Sequence, residues 1–337
     1  MSYTNGRQWL PALLANPDMP VIPPPRDSGF TTTTSVPLYW CAYGRPGARR
    51  LLVLHGGPGA DHRYLLPQML ELADEHELVF YDQRGGGQSR TDDPAPITWQ
   101  THVEDLDAIA SELGLATREI VGYSWGGLLA MLYALTSADA VPDSILTHPE
   151  SSDSRPSAFR GHPSIPDFLV LIDPAPITRA YREQFETEFT RRQQGPVIQA
   201  LRTELAASGL RERDPDAYRQ RSFELSVAGY FSDPAHAHDL TPFRVVGRVQ
   251  QSVWASLGDF DLREALGRVR VPTLIVHGRQ DPIPLASSES AAEALRAKLV
   301  VLDDCGHVPY VEQAQSLFDA MRDFLTANRP ALRGHEP

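Results

Sequence analysis

Gly122-Tyr123-Ser124-Trp125-Gly126 is the stretch on which the reading of this chain turns. It fits G-x-S-x-G, the sharp strand-to-helix turn that lifts a serine hydroxyl out of a sheet edge. Glu119-Ile120-Val121 before it reads as a short buried strand. Gly127 to Leu135 after it reads as an apolar helix. Glycines belong there for a steric reason. The serine sits in a strained backbone conformation, and the helix must start against the strand with no side chain between them.

Working outward, short apolar runs recur at Leu51–Leu54, Leu78–Tyr81, Phe168–Ile172, Thr273–Val276 and Leu299–Leu302. Runs of this length without alternation are typical of parallel strands buried on both faces. Helical stretches such as His102–Leu113 and Ser287–Ala297 separate most of them, so an α/β class with a mostly parallel sheet and helices on both faces is expected. Thr31–Tyr43 is β-branched and aromatic and predicts antiparallel strands opening the sheet. Two segments break the rhythm. Ala138–Pro166 is rich in Pro, Ser, Asp and His and reads as an inserted loop. Ile177–Leu266 is long, helical and charged with scattered aromatics, and reads as a helical cap inserted between two sheet strands. The expected organisation is a proline-rich extension over 1–28, a core over 29–176 and 267–330, and the cap over 177–266.

The 337 residues suffice for one large α/β domain with an insertion, or for two domains. A net charge of −12 argues against nucleic acid or an anionic membrane as partner. No apolar run reaches the length of a membrane span. Residues 1–25 lack a basic start followed by an apolar core, so no signal peptide is expected and a cytoplasmic location is the default. The two cysteines, Cys41 and Cys305, build neither a disulfide framework nor a metal motif.

A serine hydroxyl is a poor nucleophile until a base takes its proton, and the base needs an acid to fix its tautomer and stabilise its charged form. On this architecture the order is Ser, acid, His, each after a strand. Asp281 lies in Gly278-Arg279-Gln280-Asp281-Pro282 after one strand, and His307 in Cys305-Gly306-His307 after the next. Asp259 and Asp261 are fallback acids at the end of the cap; Asp303 and Asp304 read as turn residues. The backbone N–H groups of Trp125 and of Gly57, in His55-Gly56-Gly57-Pro58-Gly59, are the expected oxyanion donors. The loop Asp82–Ser89 is glycine-rich but lacks the spacing of a phosphate cradle. It is expected to be a structural turn, with Asp82 and Arg84 bracing the oxyanion site.

Together these motifs resemble the proline iminopeptidase family of α/β-hydrolases: His-Gly-Gly-Pro-Gly (55–59), Asp-Gln-Arg-Gly-x-Gly-x-Ser (82–89), Gly-x-Ser-Trp-Gly-Gly (122–127), Gly-Arg-x-Asp (278–281) and Cys-Gly-His (305–307) fall in that family's order. The resemblance covers residues 30–135 and 270–325. It implies an α/β-hydrolase fold with a cap, and a serine hydrolase that removes an N-terminal residue, often proline, from short peptides without metal or cofactor. It also implies cap carboxylates that bind the substrate amine, often beside tryptophan; here Glu204, Glu224 and Trp254 are the candidates. An esterase, lactonase or amidase with the same triad and no amine reader stays open, as does a ligand-binding protein on the hydrolase scaffold.

Overall fold

The computed structural model describes residues 21–115, 118–146 and 163–329. The strands are β1 (Asp27–Phe30), β2 (Tyr39–Gly44), β3 (Arg49–Leu54), β4 (His76–Tyr81), β5 (Glu119–Tyr123), β6 (Phe168–Ile172), β7 (Thr273–Gly278) and β8 (Lys298–Leu302). They form one eight-stranded sheet in the order β1-β2-β4-β3-β5-β6-β7-β8. β1 and β2 are antiparallel, and every pair from β4 to β8 is parallel. Of this antiparallel opening, β2 falls at the end of the β-branched stretch Thr31–Tyr43 and β1 lies before it. Its strands differ in extent: Thr31–Val36 links them and forms neither, and β1 begins inside the expected extension. Residues 1–20 of that extension, and 147–162 of the proline-rich insertion, lie outside the described residues.

The sheet explains the unbroken apolar runs. Side chains alternate across a strand, and both faces here are covered. Leu52, Leu54, Ile120, Leu169, Leu171 and Ile275 face one apolar layer. Leu51, Val53, Val121, Val170, Leu274 and Val276 face the other. The first layer is filled by the helices Trp99–Glu112, Trp125–Ser137 and Leu285–Leu295, the second by Ala314–Ala327 and the turns over His62–Leu72. Thr98 starts the helix Trp99–Glu112 with a reciprocal capping box to Thr101.

Most helices between β6 and β7 lie in the expected insert. Its first part carries its own small apolar cluster of Leu201, Leu205 and Leu225. Its last part does not stand apart from the core. Val249, Val253, Leu257, Phe260 and Leu262 sink into the first sheet layer. Ser256 Oγ accepts the Trp99 N–H at 3.0 Å and Ser252 donates to the Ile97 carbonyl at 2.8 Å. Among the described residues, no helix is long and apolar enough to cross a membrane.

Candidate active site

Ser124 joins β5 to the helix Trp125–Ser137 with φ 52° and ψ −118°, a left-handed strain that a non-glycine residue keeps only when its surroundings impose it. Three backbone bonds impose it. Ser124 N–H donates to the Ile172 carbonyl at 2.9 Å, and the Ser124 carbonyl accepts from Gly127 at 2.9 Å and Ala175 at 2.9 Å. Gly126 has to be glycine, because a Cβ there would overlap the carbonyl of Leu54 on β3. The turn therefore presses the helix start onto the sheet and leaves the hydroxyl half-exposed above its edge.

Asp281 follows β7 and His307 follows β8, so three residues distant in sequence meet at the carboxyl ends of parallel strands. His307 Nε2 lies 3.0 Å from Ser124 Oγ, and His307 Nδ1 lies 2.7 Å from Asp281 Oδ2. The Asp281 carboxylate accepts from one ring nitrogen, so the other is left as a lone pair facing the serine proton. Imidazole and carboxyl are both buried, at 5 % and 7 % exposure, so water does not screen their interaction. Burial pushes the His307 imidazole down to about 4, so it is neutral at rest. Burial pushes Asp281 up to about 7, against the pull of the neighbouring Asp173 carboxyl and of the Ile283 N–H. Of the fallback acids, Asp259 is exposed and Asp261 is held by Arg263 on the surface; of the two expected turn residues, Asp303 pairs with Arg279 and Asp304 takes a left-handed position.

The 55–59 loop follows β3 and lies beside the serine. Gly57 takes φ 50°, which turns its N–H without a side-chain penalty. Neither the Gly57 nor the Trp125 N–H has an acceptor among the described residues. What braces this loop differs in part from the sequence expectation. Arg84 turns away and forms a two-pronged bond to Asp105 on the helix Trp99–Glu112. Asp82 holds the far end of the loop, accepting the His62 backbone N–H at 3.0 Å and pairing with His62 Nδ1 at 2.7 Å. The near end is held by Gln83 and His55, which sequence reasoning missed. Gln83 N–H donates to His55 Nε2 at 3.0 Å, its side-chain amide donates to the His55 carbonyl at 2.7 Å, and its Oε1 accepts the Trp125 indole N–H at 2.9 Å. Gln83 thus ties together the two chain segments that carry the free N–H groups. Tyr64 hydroxyl accepts the Gly56 N–H at 2.5 Å.

The histidine loop is clamped from three sides by further residues absent from the sequence reading. Tyr123 hydroxyl donates to the His307 carbonyl at 2.8 Å, and His307 N–H donates to the Tyr230 carbonyl at 2.7 Å. Glu312 accepts Gly306 N–H at 2.7 Å, Ser232 N–H at 2.8 Å and Asp233 N–H at 3.2 Å. One carboxylate thereby fastens the insert to the residue next to the base. Glu312→Ala strands three N–H groups that lose their acceptor, each worth roughly 0.5–1.5 kcal/mol when the site is half-buried. The expected result is a loss of about 2 kcal/mol in denaturant unfolding together with a lower kcat; unchanged stability and rate would show that the clamp holds nothing.

The three cap candidates fare differently. Glu224 is buried and spends its carboxylate on Arg221 at 3.0 Å and Gln220 at 3.0 Å, so it is a structural ion pair of the insert and does not offer a free charge to a substrate amine. Glu204 is exposed and lines a cavity of about 860 Å³ with Arg192, Phe231 and Gln280, on the acid loop's side. Trp254 stacks edge-on against Trp125, 5.3 Å between ring centroids, under the Arg182 guanidinium at 4.1 Å. It props the residue after the serine and lines a second cavity of about 340 Å³ with Glu183 and Glu186. Two other rings lie beside His307, those of Tyr230 and Tyr123, the latter at 5.2 Å. Tyr230 lies 5.1 Å from His307 and Phe189 lies 4.4 Å from Tyr230; Tyr64 lies 4.4 Å from Phe243.

The chain is 25 % identical over 310 residues to a proline iminopeptidase of Lactobacillus crispatus, covering 85 % of this chain and 94 % of that one. It is 26 % identical over 283 residues to a putative carbamate hydrolase of Pseudomonas savastanoi pv. phaseolicola, covering 82 % and 94 %. Among solved structures it is similar to the proline iminopeptidase of Mycobacterium smegmatis, with a TM-score of 0.58 at 22 % identity, covering 90 % of this chain and 98 % of that one. The family model described as the alpha/beta hydrolase fold matches residues 49–314, a span that holds the elbow serine, the acid and the histidine alike, and the chain belongs to that family.

Proposed function

We propose that this chain is a serine hydrolase working through an acyl-enzyme, and that its substrates are short peptides from which it releases an N-terminal proline or another small residue. The observation that carries the hydrolase reading is the unbroken relay Ser124–His307–Asp281 at 3.0 Å and 2.7 Å. His307 Nε2 takes the serine proton as Oγ attacks the carbonyl. Asp281 stabilises the imidazolium that forms. The Gly57 and Trp125 N–H groups receive the oxyanion, each worth roughly 3–4 kcal/mol of barrier. His307 then protonates the leaving amine, and a water activated by the same nitrogen frees the acid. The peptidase reading is supported by the likeness to proline iminopeptidases along nearly their whole length. The half-buried rings of Tyr230, Phe189 and Phe243 suit the methylene face of a compact ring such as proline's. The insert, as a cap, closes over that site.

A second reading, an esterase, lactonase or amidase indifferent to a free amine, is favoured by one observation: Glu224 is already neutralised by Arg221. Aryl-amides of proline with the amine free or acetylated separate the two. The expected result is a kcat/KM for the free amine at least tenfold above the blocked one. Equal rates would sink the peptidase reading and leave the second.

A further inference from the structure

Behind the triad acid lies a second carboxyl. Asp173 follows β6 directly, in the left-handed region at φ 41°, and is fully buried. One oxygen of Asp173, one of Asp281 and one ring nitrogen of His277 lie within 4.8 Å of one another. Asp173 Oδ1 accepts the Gly278 N–H at 2.8 Å; Oδ2 has no donor among the described residues. His277 supplies no cation. Its Nε2 lies 3.2 Å from the Ile283 carbonyl, which can only accept, so the ring proton sits on Nε2. Its Nδ1 therefore accepts from Ser288 at 2.9 Å and carries no proton toward Asp173 Oδ1, 3.5 Å away. A metal ion is a poor occupant as well. Both His277 nitrogens are spent, and both Asp281 oxygens already accept, from Ile283 N–H at 2.7 Å and from His307.

An ionised Asp173 would place a second buried negative charge within 4.8 Å of Asp281, beside an imidazole that supplies no cation. Two carboxylates that close cannot both ionise. We infer that Asp173 is a neutral carboxylic acid at working pH, donating its proton from Oδ2 to Asp281 and so acting as a positioning residue for the triad acid. Burial and the charge of Asp281 both hold the Asp173 carboxyl well above the usual carboxylate range, in agreement with that geometry. The donated bond has a second consequence. It favours the ionised form of Asp281, the form His307 needs, against a burial that disfavours it. The inference rests on the hydrolase reading above and is independent of whether the substrate is a peptide or an ester.

The test compares Asp173→Asn and Asp173→Ala with the wild-type chain, a separate aliquot of each being checked for fluorophosphonate labelling at Ser124. Wild-type protein that does not label would sink the hydrolase reading; the infrared band below tests the protonation of Asp173 separately. Asparagine is neutral at every pH and keeps both an acceptor for Gly278 and a donor for Asp281. It is expected to keep kcat/KM within about threefold of wild type, with an unshifted acid limb. Alanine has no donor, and loss of one hydrogen bond to a charged group corresponds to roughly 10–100-fold in kcat, with KM little changed and the acid limb moved to higher pH. The infrared band of a protonated carboxyl should persist at pH 8 in the wild type and vanish in Asp173→Asn. A collapse of activity in folded Asp173→Asn, or no such band, overturns the inference, as does a folded alanine variant with wild-type kinetics. If the alanine variant does not fold, the asparagine variant and the band decide the matter alone.

Discussion

Ser124→Ala is expected to lower kcat by roughly 10⁵–10⁶-fold on any substrate the wild type hydrolyses, and to abolish fluorophosphonate labelling. The magnitude follows from what the alanine leaves behind. Without Oγ no acyl-enzyme forms, and His307 Nε2 has lost the proton it was placed 3.0 Å away to receive. The donors at Gly57 and Trp125 still stand, so a residual rate of roughly 10³-fold over water is expected where the substrate still binds. Stability should move the other way. Removing a polar group from a strained, half-buried position relieves desolvation, although alanine inherits the φ of 52°. A melting temperature within a few degrees of wild type is therefore expected, with KM little altered. Substantial hydrolysis by the purified variant would mean that another nucleophile does the chemistry.

How much of this was legible in the sequence depends on which physical signal each residue carries. The elbow, the strands and the triad were readable because each is local. G-x-S-x-G needs its neighbours to be small, and buried parallel strands are apolar throughout. Asp281 and His307 each follow an apolar run by a few residues. The supporting residues carry no such mark. Gln83 sits in a loop read as a mere turn, and its importance comes from reaching His55 and the Trp125 indole at once, across β3 and β5. Glu312 lies on a short helix and touches a turn 80 residues away. A contact of that separation has no periodicity to betray it. Asp173 did leave a trace, an acid at a strand end at the same sheet edge as Ser124, but its meaning needs the third dimension. One cap residue misled for the opposite reason. Glu224 was singled out by type alone, whereas its charge was already answered three residues earlier by Arg221. Charge pairs inside one helix are common enough that a carboxylate in a helical insert is a weak sign of a ligand.

Asp281→Asn should cost roughly 10⁴-fold in kcat while leaving the fold and KM nearly intact. The loss comes from the hydrogen-bond directions around position 281. Ile283 N–H points at Oδ1, so an asparagine oxygen is claimed there and its amide turns toward His307. An amide that donates to Nδ1 forces the ring proton onto Nε2, the nitrogen that has to be a lone pair for Ser124. The same substitution removes the negative charge that stabilises the imidazolium. The pH profile gives the sign. In the wild type the acid limb belongs to the Asp281–His307 pair, raised to about 7 on one side and lowered to about 4 on the other, so kcat/KM is lost as pH falls through that range. Asparagine leaves the buried imidazole without its nearest anion, Glu312 being the carboxylate that remains nearby. Its protonation becomes harder, and the residual activity should show an acid limb displaced to lower pH. Removing the donor at Asp173 displaces the limb upward, because Asp281 then ionises less readily. Opposite displacements from two adjacent carboxyls are what one acid acting on His307 and a second acting on the first require. If Asp281→Asn keeps more than about a tenth of the wild-type rate, or if both limbs move in the same direction, Asp281 is not the group that orients the base.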